Sequence, residues 1–292
     1  MFAGALLGDM PHYLDHLAPL CALMEWPLFI SEPSIADAAR HYYPDLTVLE
    51  SSVLPKWVVT CEPQILFQRR VPQFKGKTLW LPHGNSDKGW KIPIFDALGT
   101  DEPLLIYGQQ MRQRCQERPH AIIGNFRKQY YEMHRPFYRQ LTRAELPIDD
   151  IAPVLYAPTW VDPEGNGTFW SDVKSVLQTI PTQTTLWIRP HPNMVKTDEH
   201  RLLALTGPLK ARLLPEFPPV YPVLEYATAY IGDMSSVGYD FLAFDRPLFF
   251  PRQAALPLHQ AITSIERKAL YAEAFAEVSV HTMRDRICAL VE

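Results

Sequence analysis

Ala229-Tyr230-Ile231-Gly232-Asp233-Met234-Ser235-Ser236-Val237-Gly238-Tyr239-Asp240-Phe241-Leu242-Ala243-Phe244-Asp245 reads as three pieces in a row. Ala229 to Gly232 predicts a short buried strand and Asp233 a sharp turn. A helix then opens at Ser235 or Ser236, with Val237, Phe241 and Phe244 on one face. Either serine suits an N-cap, because its hydroxyl accepts a bond from a free amide in the first turn. Arg246-Pro247-Leu248-Phe249-Phe250 predicts the next strand, so the unit is β-turn-α-β. A helix that begins at the carboxyl end of a parallel strand offers unpaired N–H groups and the positive end of its dipole, which suits a phosphate. A serine at a helix start is more often just a cap, and the local pattern by itself favours that plainer reading.

The rest of the 292 residues repeats this alternation. Phe2 to Leu7 predicts a strand. Residues 11–24 predict a helix with Pro11 in its first turn and Leu14, Leu17, Cys21 and Met24 along one face. Further strands are predicted at Pro27 to Ile30, Leu46 to Val48, Trp57 to Cys61, Thr78 to Leu81, Leu104 to Tyr107 and Ala121 to Gly124, with a helix near Ser34 to His41. A single long helix from about Phe126 to Leu146 closes the first half, and Pro147 to Asp150 is the hinge. Beyond it come a strand at Ala152 to Trp160, a polar turn over 162–167, a helix near Trp170 to Ile180 and a strand at Thr185 to Ile188. Leu213-Leu214, a short helix over Tyr221 to Ala227, and tail helices near Ile265 to Glu277 and Thr282 to Val291 complete the pattern. This is an α/β chain of two Rossmann-like domains, residues 1–148 and 149–292.

Composition narrows the function. The chain is 47% hydrophobic and 21% charged, with net charge -4, so it is globular and carries no basic field for nucleic acid. Cys21, Cys61, Cys115 and Cys288 are scattered without a C-x-x-C pair, which argues against a zinc ribbon or a disulfide framework and for a reducing, cytoplasmic compartment. The first residues have no basic n-region and no run is long enough to cross a bilayer. The expected protein is soluble, or rests peripherally on the inner face of the cytoplasmic membrane. Aromatic and cationic residues over 126–143 suit either a membrane surface or the packed and solvated faces of one helix.

Chemistry concentrates at predicted strand ends. Leu81-Pro82-His83-Gly84-Asn85-Ser86-Asp87-Lys88 leaves a strand for a polar loop, where Gly84 lets backbone approach a ligand and Ser86 and Lys88 offer donors to phosphate. The spacing is not that of a Walker A loop. Arg189-Pro190-His191-Pro192 places a cation beside a histidine, which suits a phosphorylated ligand: Arg offers a bidentate fork and His gives or takes a proton. A surface arginine and a hydrogen-bonded loop histidine remain the plain alternative. His12 and His16 lie four apart with Asp15 beside them on a solvated or cleft-facing side of the first helix. No third metal ligand accompanies them, so Asp15 and His16 are acceptor-side candidates.

Four signatures thus stand in one order: Pro82-His83-Gly84 with Ser86 and Lys88; Tyr156-Ala157-Pro158-Thr159-Trp160; Arg189-Pro190-His191-Pro192; and Asp233-Met234-Ser235-Ser236 with Asp240-Phe241. The set resembles the CDP-glycerol glycerophosphotransferase family, makers of teichoic-acid-type poly(glycerol phosphate). The resemblance spans roughly residues 80–250. It implies a GT-B architecture, two domains with parallel sheets facing a central cleft, and a CDP-activated donor held mainly by the C-terminal domain. It implies catalytic roles for His83 and His191. It also implies that Asp233, Ser235 and Ser236 hold donor phosphates; Arg189, Ser86, Lys88 and Thr159 are further donor- or phosphate-binding candidates beside them. Where the family usually reads Thr-Pro-Leu-Lys after His-Gly, this chain has Asn85-Ser86-Asp87-Lys88, which leaves acceptor and polymer length open.

The expected reaction is transfer of glycerol phosphate, or a related alditol phosphate, from CDP-glycerol or a similar CDP-alditol. The acceptor is a hydroxyl on a lipid-linked or glycan polymer, CMP is released, and no metal or other cofactor is obligatory. A GT-B glycosyltransferase using a nucleotide sugar is the alternative, and a non-catalytic nucleotide-binding GT-B protein a third.

Overall fold

The computed structural model describes residues 2–49, 53–88, 102–115, 117–146, 152–161, 167–181, 183–206, 211–214, 217 and 219–292. The expected hinge over 147–150 and the turn over 162–166 lie outside them.

The chain forms two compact units, and neither is contiguous. Unit 1 comprises Met1–Asn85, Pro93–His134 and Ala272–Glu292, and unit 2 comprises Ser86–Ile92 and Arg135–Tyr271. This division differs from two consecutive halves at 148/149. The tail crosses back, and a short stretch after His83 goes forward.

In unit 1 the order is β1 (Phe2–Leu6), α1 (Pro11–Met24), β2 (Leu28–Ile30), α2 (Pro33–Tyr42), β3 (Val48–Leu49), β4 (Trp57–Thr60), α3 (Gln64–Arg70), β5 (Lys77–Trp80), β6 (Leu104–Ile106), α4 (Gln109–Cys115), β7 (His120–Ile122) and α5 (Phe126–Met133). The sheet runs β3-β2-β1-β4-β5-β6-β7 with every pair parallel. Helices cover the central strands, so these read as apolar runs, and Ala5, Val58, Val59, Leu79, Leu104, Leu105 and Ile106 are fully buried.

Unit 2 contains α6 (Arg135–Glu145), β8 (Val154–Tyr156), α7 (Phe169–Thr179), β9 (Leu186–Ile188), α8 (Pro192–Thr206), β10 (Ala211–Leu213), α9 (Val220–Tyr226), β11 (Ala229–Ile231), α10 (Ser236–Phe241), β12 (Leu248–Phe249), α11 (Pro257–Gln260) and most of α12 (Ser264–Ala274). Its parallel sheet, β10-β9-β8-β11-β12, repeats the winding of the first five strands of unit 1. In each sheet the order reverses direction once, between β1 and β4 and between β8 and β11. That switch point, at the carboxyl ends of the strands, is where doubly wound sheets receive ligands.

α13 (Val280–Val291) returns to unit 1, capped by Ser279, whose hydroxyl accepts from the Thr282 amide at 3.1 Å. Its anchors there are specific: Arg286 donates to the Ile122 carbonyl at 2.7 Å and Gln129 to that of Val278 at 2.6 Å.

Several elements differ from expectation. The stretch 126–146 is two helices broken at His134, with Pro136 in the first turn of the second, where its missing N–H costs nothing. The two pieces belong to different units. Phe126, Arg127, Tyr130, Tyr131 and Tyr138 are buried, and Arg135 and Arg139 pair with Glu225. The helices α3, α4, α8 and α11 were not predicted. Among the described residues, no helix is long and apolar enough to cross a membrane.

Candidate functional site

At the switch point of unit 2, the ends of three adjacent strands bring the predicted residues together. β8 runs into Ala157-Pro158-Thr159-Trp160, β9 into Arg189-Pro190-His191, and β11 into Gly232-Asp233-Met234-Ser235. The Asp233 carboxylate ties them: it accepts from the Thr159 amide at 3.0 Å, the Thr168 hydroxyl at 3.1 Å and the Ser235 amide at 3.1 Å. Burial pushes its carboxyl pKa up, and the opposing pull comes from the Thr159 amide, Lys88, Thr168 and the Ser235 amide. A carboxylate cannot donate to phosphate. Asp233 therefore orders the donors around it, a different role from direct phosphate contact. Thr168, just past Gly167, was not anticipated; a lone threonine ahead of a helix reads as an ordinary cap.

Lys88 belongs to this unit and donates to the Thr159 hydroxyl, while the Lys88 amide bonds the Ser86 hydroxyl at 3.3 Å. The neighbouring Asp87 carboxylate accepts from the buried Tyr239 hydroxyl at 2.6 Å, which fastens the segment to α10. His191 stacks on Trp160 with ring centroids 5.8 Å apart. Its Nδ1 accepts from the Asn193 amide at 3.2 Å. In the neutral ring the proton then sits on Nε2, leaving that nitrogen a donor.

α10 starts at Ser236 with Ser235 as N-cap, the Ser235 hydroxyl accepting from the Val237 amide at 3.4 Å. The helix is shorter than expected, tightening into a 3-10 turn over Leu242–Phe244. Its buried positions are Gly238, Tyr239, Asp240 and Phe241; Val237 and Phe244 are only partly covered. Gly238 packs closely against Leu258: a Cβ there would approach Leu258 Cδ2 to 2.6 Å, so that side chain would have to shift.

Unit 1 carries a second constellation at its own switch edge. His83 follows β5, with its ring 5.1 Å from Tyr13, 5.6 Å from His12 and 6.5 Å from His16. The polar side of α1 is not solvated. Asp15 and His16 are 7% and 5% exposed, and Asp15 forms a buried ion pair with Arg127 of α5 while accepting from the Tyr43 hydroxyl at 3.1 Å. Burial, then the positive charge of Arg127, hold the His16 pKa well below its ordinary value, so its ring is neutral. At the end of β1, Arg70 bonds the Leu7 carbonyl and pairs with Glu62.

Residues 109–253 match the family model of CDP-Glycerol:Poly(glycerophosphate) glycerophosphotransferase. The matched stretch, about half of the chain, is similar to that family. The match takes in Thr159, Arg189, His191, Asp233, Ser235 and Ser236. Solved structures with similar folds include the wall teichoic acid polymerase TagF, in a single-residue variant soaked with CDPG (12% identity, TM-score 0.61, 99% of this chain and 88% of that one). They also include UDP-GlcNAc 2-epimerase from Neisseria meningitidis bound to UDP-GlcNAc (10% identity, TM-score 0.54, 100% and 99%). A third is UDP-N-acetylglucosamine 2-epimerase from Rickettsia bellii (10%, TM-score 0.58, 100% and 96%). These are GT-B proteins, and the doubly wound pair of sheets in this chain is of that class. No curated protein sequence matches it.

Proposed function

We propose that this protein transfers glycerol phosphate, or a related alditol phosphate, from a CDP-activated donor to a hydroxyl of a lipid-linked or glycan polymer. The observation that carries the reading is the overlap between the family match and the ordered strand ends of unit 2. In this reading the acceptor oxygen attacks the β-phosphorus of the donor. The bond from that phosphorus to the bridging oxygen breaks, CMP leaves, and the acceptor proton passes to His83. His191 through Nε2–H, Arg189, Lys88, and the amides and hydroxyls at Thr159, Ser235 and Ser236 meet the charge of the diphosphate. α10 is short, so most of the stabilisation falls to these side chains and amides. Asp15 and His16, being buried, support the acceptor side from beneath.

A general base is worth about 10²–10⁴-fold, and one charge-stabilising donor a similar factor. His83→Ala and His191→Ala are each expected to lower CMP release from CDP-glycerol by at least ~100-fold with the melting temperature preserved. Near-wild-type rates in both would remove the assignment. Donor choice is read from thermal shifts with CDP-glycerol, CDP-ribitol, CMP, UDP, UDP-GlcNAc and CMP-sialic acid. A ligand at ~100 times its Kd adds roughly 2.7 kcal/mol. A UDP compound giving the largest shift would turn the reading toward glycosyl transfer. The chemistry proposed needs no metal; activity lost in EDTA and restored by Mg²⁺ would count against that part.

A further inference from the structure

His83 is the central residue of a three-residue turn: the Gly84 amide bonds back to the Pro82 carbonyl at 3.0 Å, and Gly84 takes φ +107°, a left-handed value that glycine adopts without penalty. The same Pro82 carbonyl accepts from the Tyr107 hydroxyl at 3.1 Å. Tyr107 Oη in turn lies 2.7 Å from His16 Nδ1. Two residues past His83, the buried Asn85 side chain donates to the Ala274 carbonyl at 2.7 Å. All of these residues lie within unit 1.

The proton positions along this chain follow from what each group can do. A carbonyl only accepts, and a phenol has one hydrogen. Both contacts are satisfied only if Tyr107 gives its hydrogen to Pro82 and receives one from His16. His16 must then carry its proton on Nδ1. The opposite tautomer would leave the Tyr107–Pro82 contact without a hydrogen in a fully buried position, forfeiting a bond that has no solvent to replace it. The phenol cannot swing away. Its ring stacks on Phe126 at 5.6 Å and meets the edge of Phe275 at 5.8 Å, and its backbone carbonyl accepts from Ala276 at 2.9 Å.

We propose that His16 and Tyr107 are positioning residues for His83, forming a one-way hydrogen-bond chain from imidazole through phenol to the Pro82 carbonyl that sets the turn carrying His83. The inference rests on the reading of His83 as the base for the acceptor hydroxyl. A reacting group displaced by about 1 Å loses on the order of 10²-fold. Neither His16 nor Tyr107 needs to touch a substrate to matter at that scale.

The test uses the full chain labelled with ¹⁵N-histidine and long-range ¹H–¹⁵N spectra, with the resonances of His16, His83 and His191 assigned by single substitution. In the wild type, His16 is expected as the Nδ1–H tautomer, unchanged from pH 8.5 to 5.5; an Nε2–H tautomer overturns the inference without any variant. In Tyr107→Phe, the titration midpoint of His83 is expected to move by about 0.3 pH unit or more while that of His191 stays in place. A general loss of structure would move both, and a midpoint for His83 that does not move overturns the inference. With CDP-glycerol, Tyr107→Phe should lower kcat about 10-fold or more and change the donor KM less than about twofold. An active His83→Ala protein overturns the reading on which the inference rests. An inactive one, together with an unmoved His83 in Tyr107→Phe, overturns the inference alone.

Discussion

Asp15 and Arg127 are 112 residues apart in the chain and buried together, the guanidinium bonding both the carboxylate and the Asp15 backbone carbonyl. Removing one partner strands a charge where water cannot reach it, so Asp15→Ala is expected to cost about 3–5 kcal/mol in urea unfolding. Asp15→Leu with Arg127→Met should recover most of that loss, because it removes both charges and keeps the volume. An Asp15→Ala protein of unchanged stability would show that the pair contributes little. Sequence reading placed Asp15 on a polar helix face because only the distant arginine converts an apparent surface residue into a core one. The same limit applies to Tyr107, which local pattern gives simply as the end of a strand. The positions of His83, His191 and the Asp233-to-Ser236 turn at strand ends were legible because each closely follows a bare apolar run.

Among the elements, the strands were the most readable, since parallel strands buried on both faces appear as bare apolar runs. The helices α3 and α4 were missed because each is only two turns long and carries two arginines in its last turn, too short to display a 3.6-residue period. α8 opens on the last proline of Arg-Pro-His-Pro, a motif that reads as loop, and its backbone departs from helical geometry at Asp198. The joint before α4 supplies a sharp test. A Cβ at Gly108 would come within 2.5 Å of the Ala274 carbonyl oxygen and 2.7 Å of that of Glu273. Both obstacles are backbone, so neither can rotate aside as a side chain would. Gly108→Ala is expected to cost about 1–3 kcal/mol, seen as a lowered urea midpoint with an unchanged slope. A neutral substitution would mean that the end of α12 yields easily.

For the whole molecule, three covered histidines among the described residues contribute to the response to acid. His16, His134 and His259 all have pKa values held below the ordinary range, in each case chiefly by burial; for His134, Asp45 pulls the other way. In the unfolded chain each takes a proton near pH 6.5, whereas the folded chain resists it. Stability is therefore complete above that pH and falls as pH drops through the window between the unfolded and folded values. The slope is up to about 1.4 kcal/mol per pH unit for each histidine fully within its window. Unfolding midpoints measured from pH 7.5 to 5 should decline steadily, and His16→Gln should flatten the curve. A flat wild-type profile would show that these rings take up protons without strain.

The division into units also belongs to this scale, and it was the part least visible in the sequence. Nothing in the periodicity of residues 280–291 tells which sheet they will cover, because an amphipathic helix specifies an apolar surface and not its address. That destination has a temporal consequence. A ribosome emits the first strand of unit 1 before nearly all of unit 2, and α13 of unit 1 after it. The N-terminal sheet must wait through the synthesis of another domain before its final helix arrives. During that interval it is an incomplete particle with an uncovered apolar face, the stage at which a nascent chain most depends on chaperones.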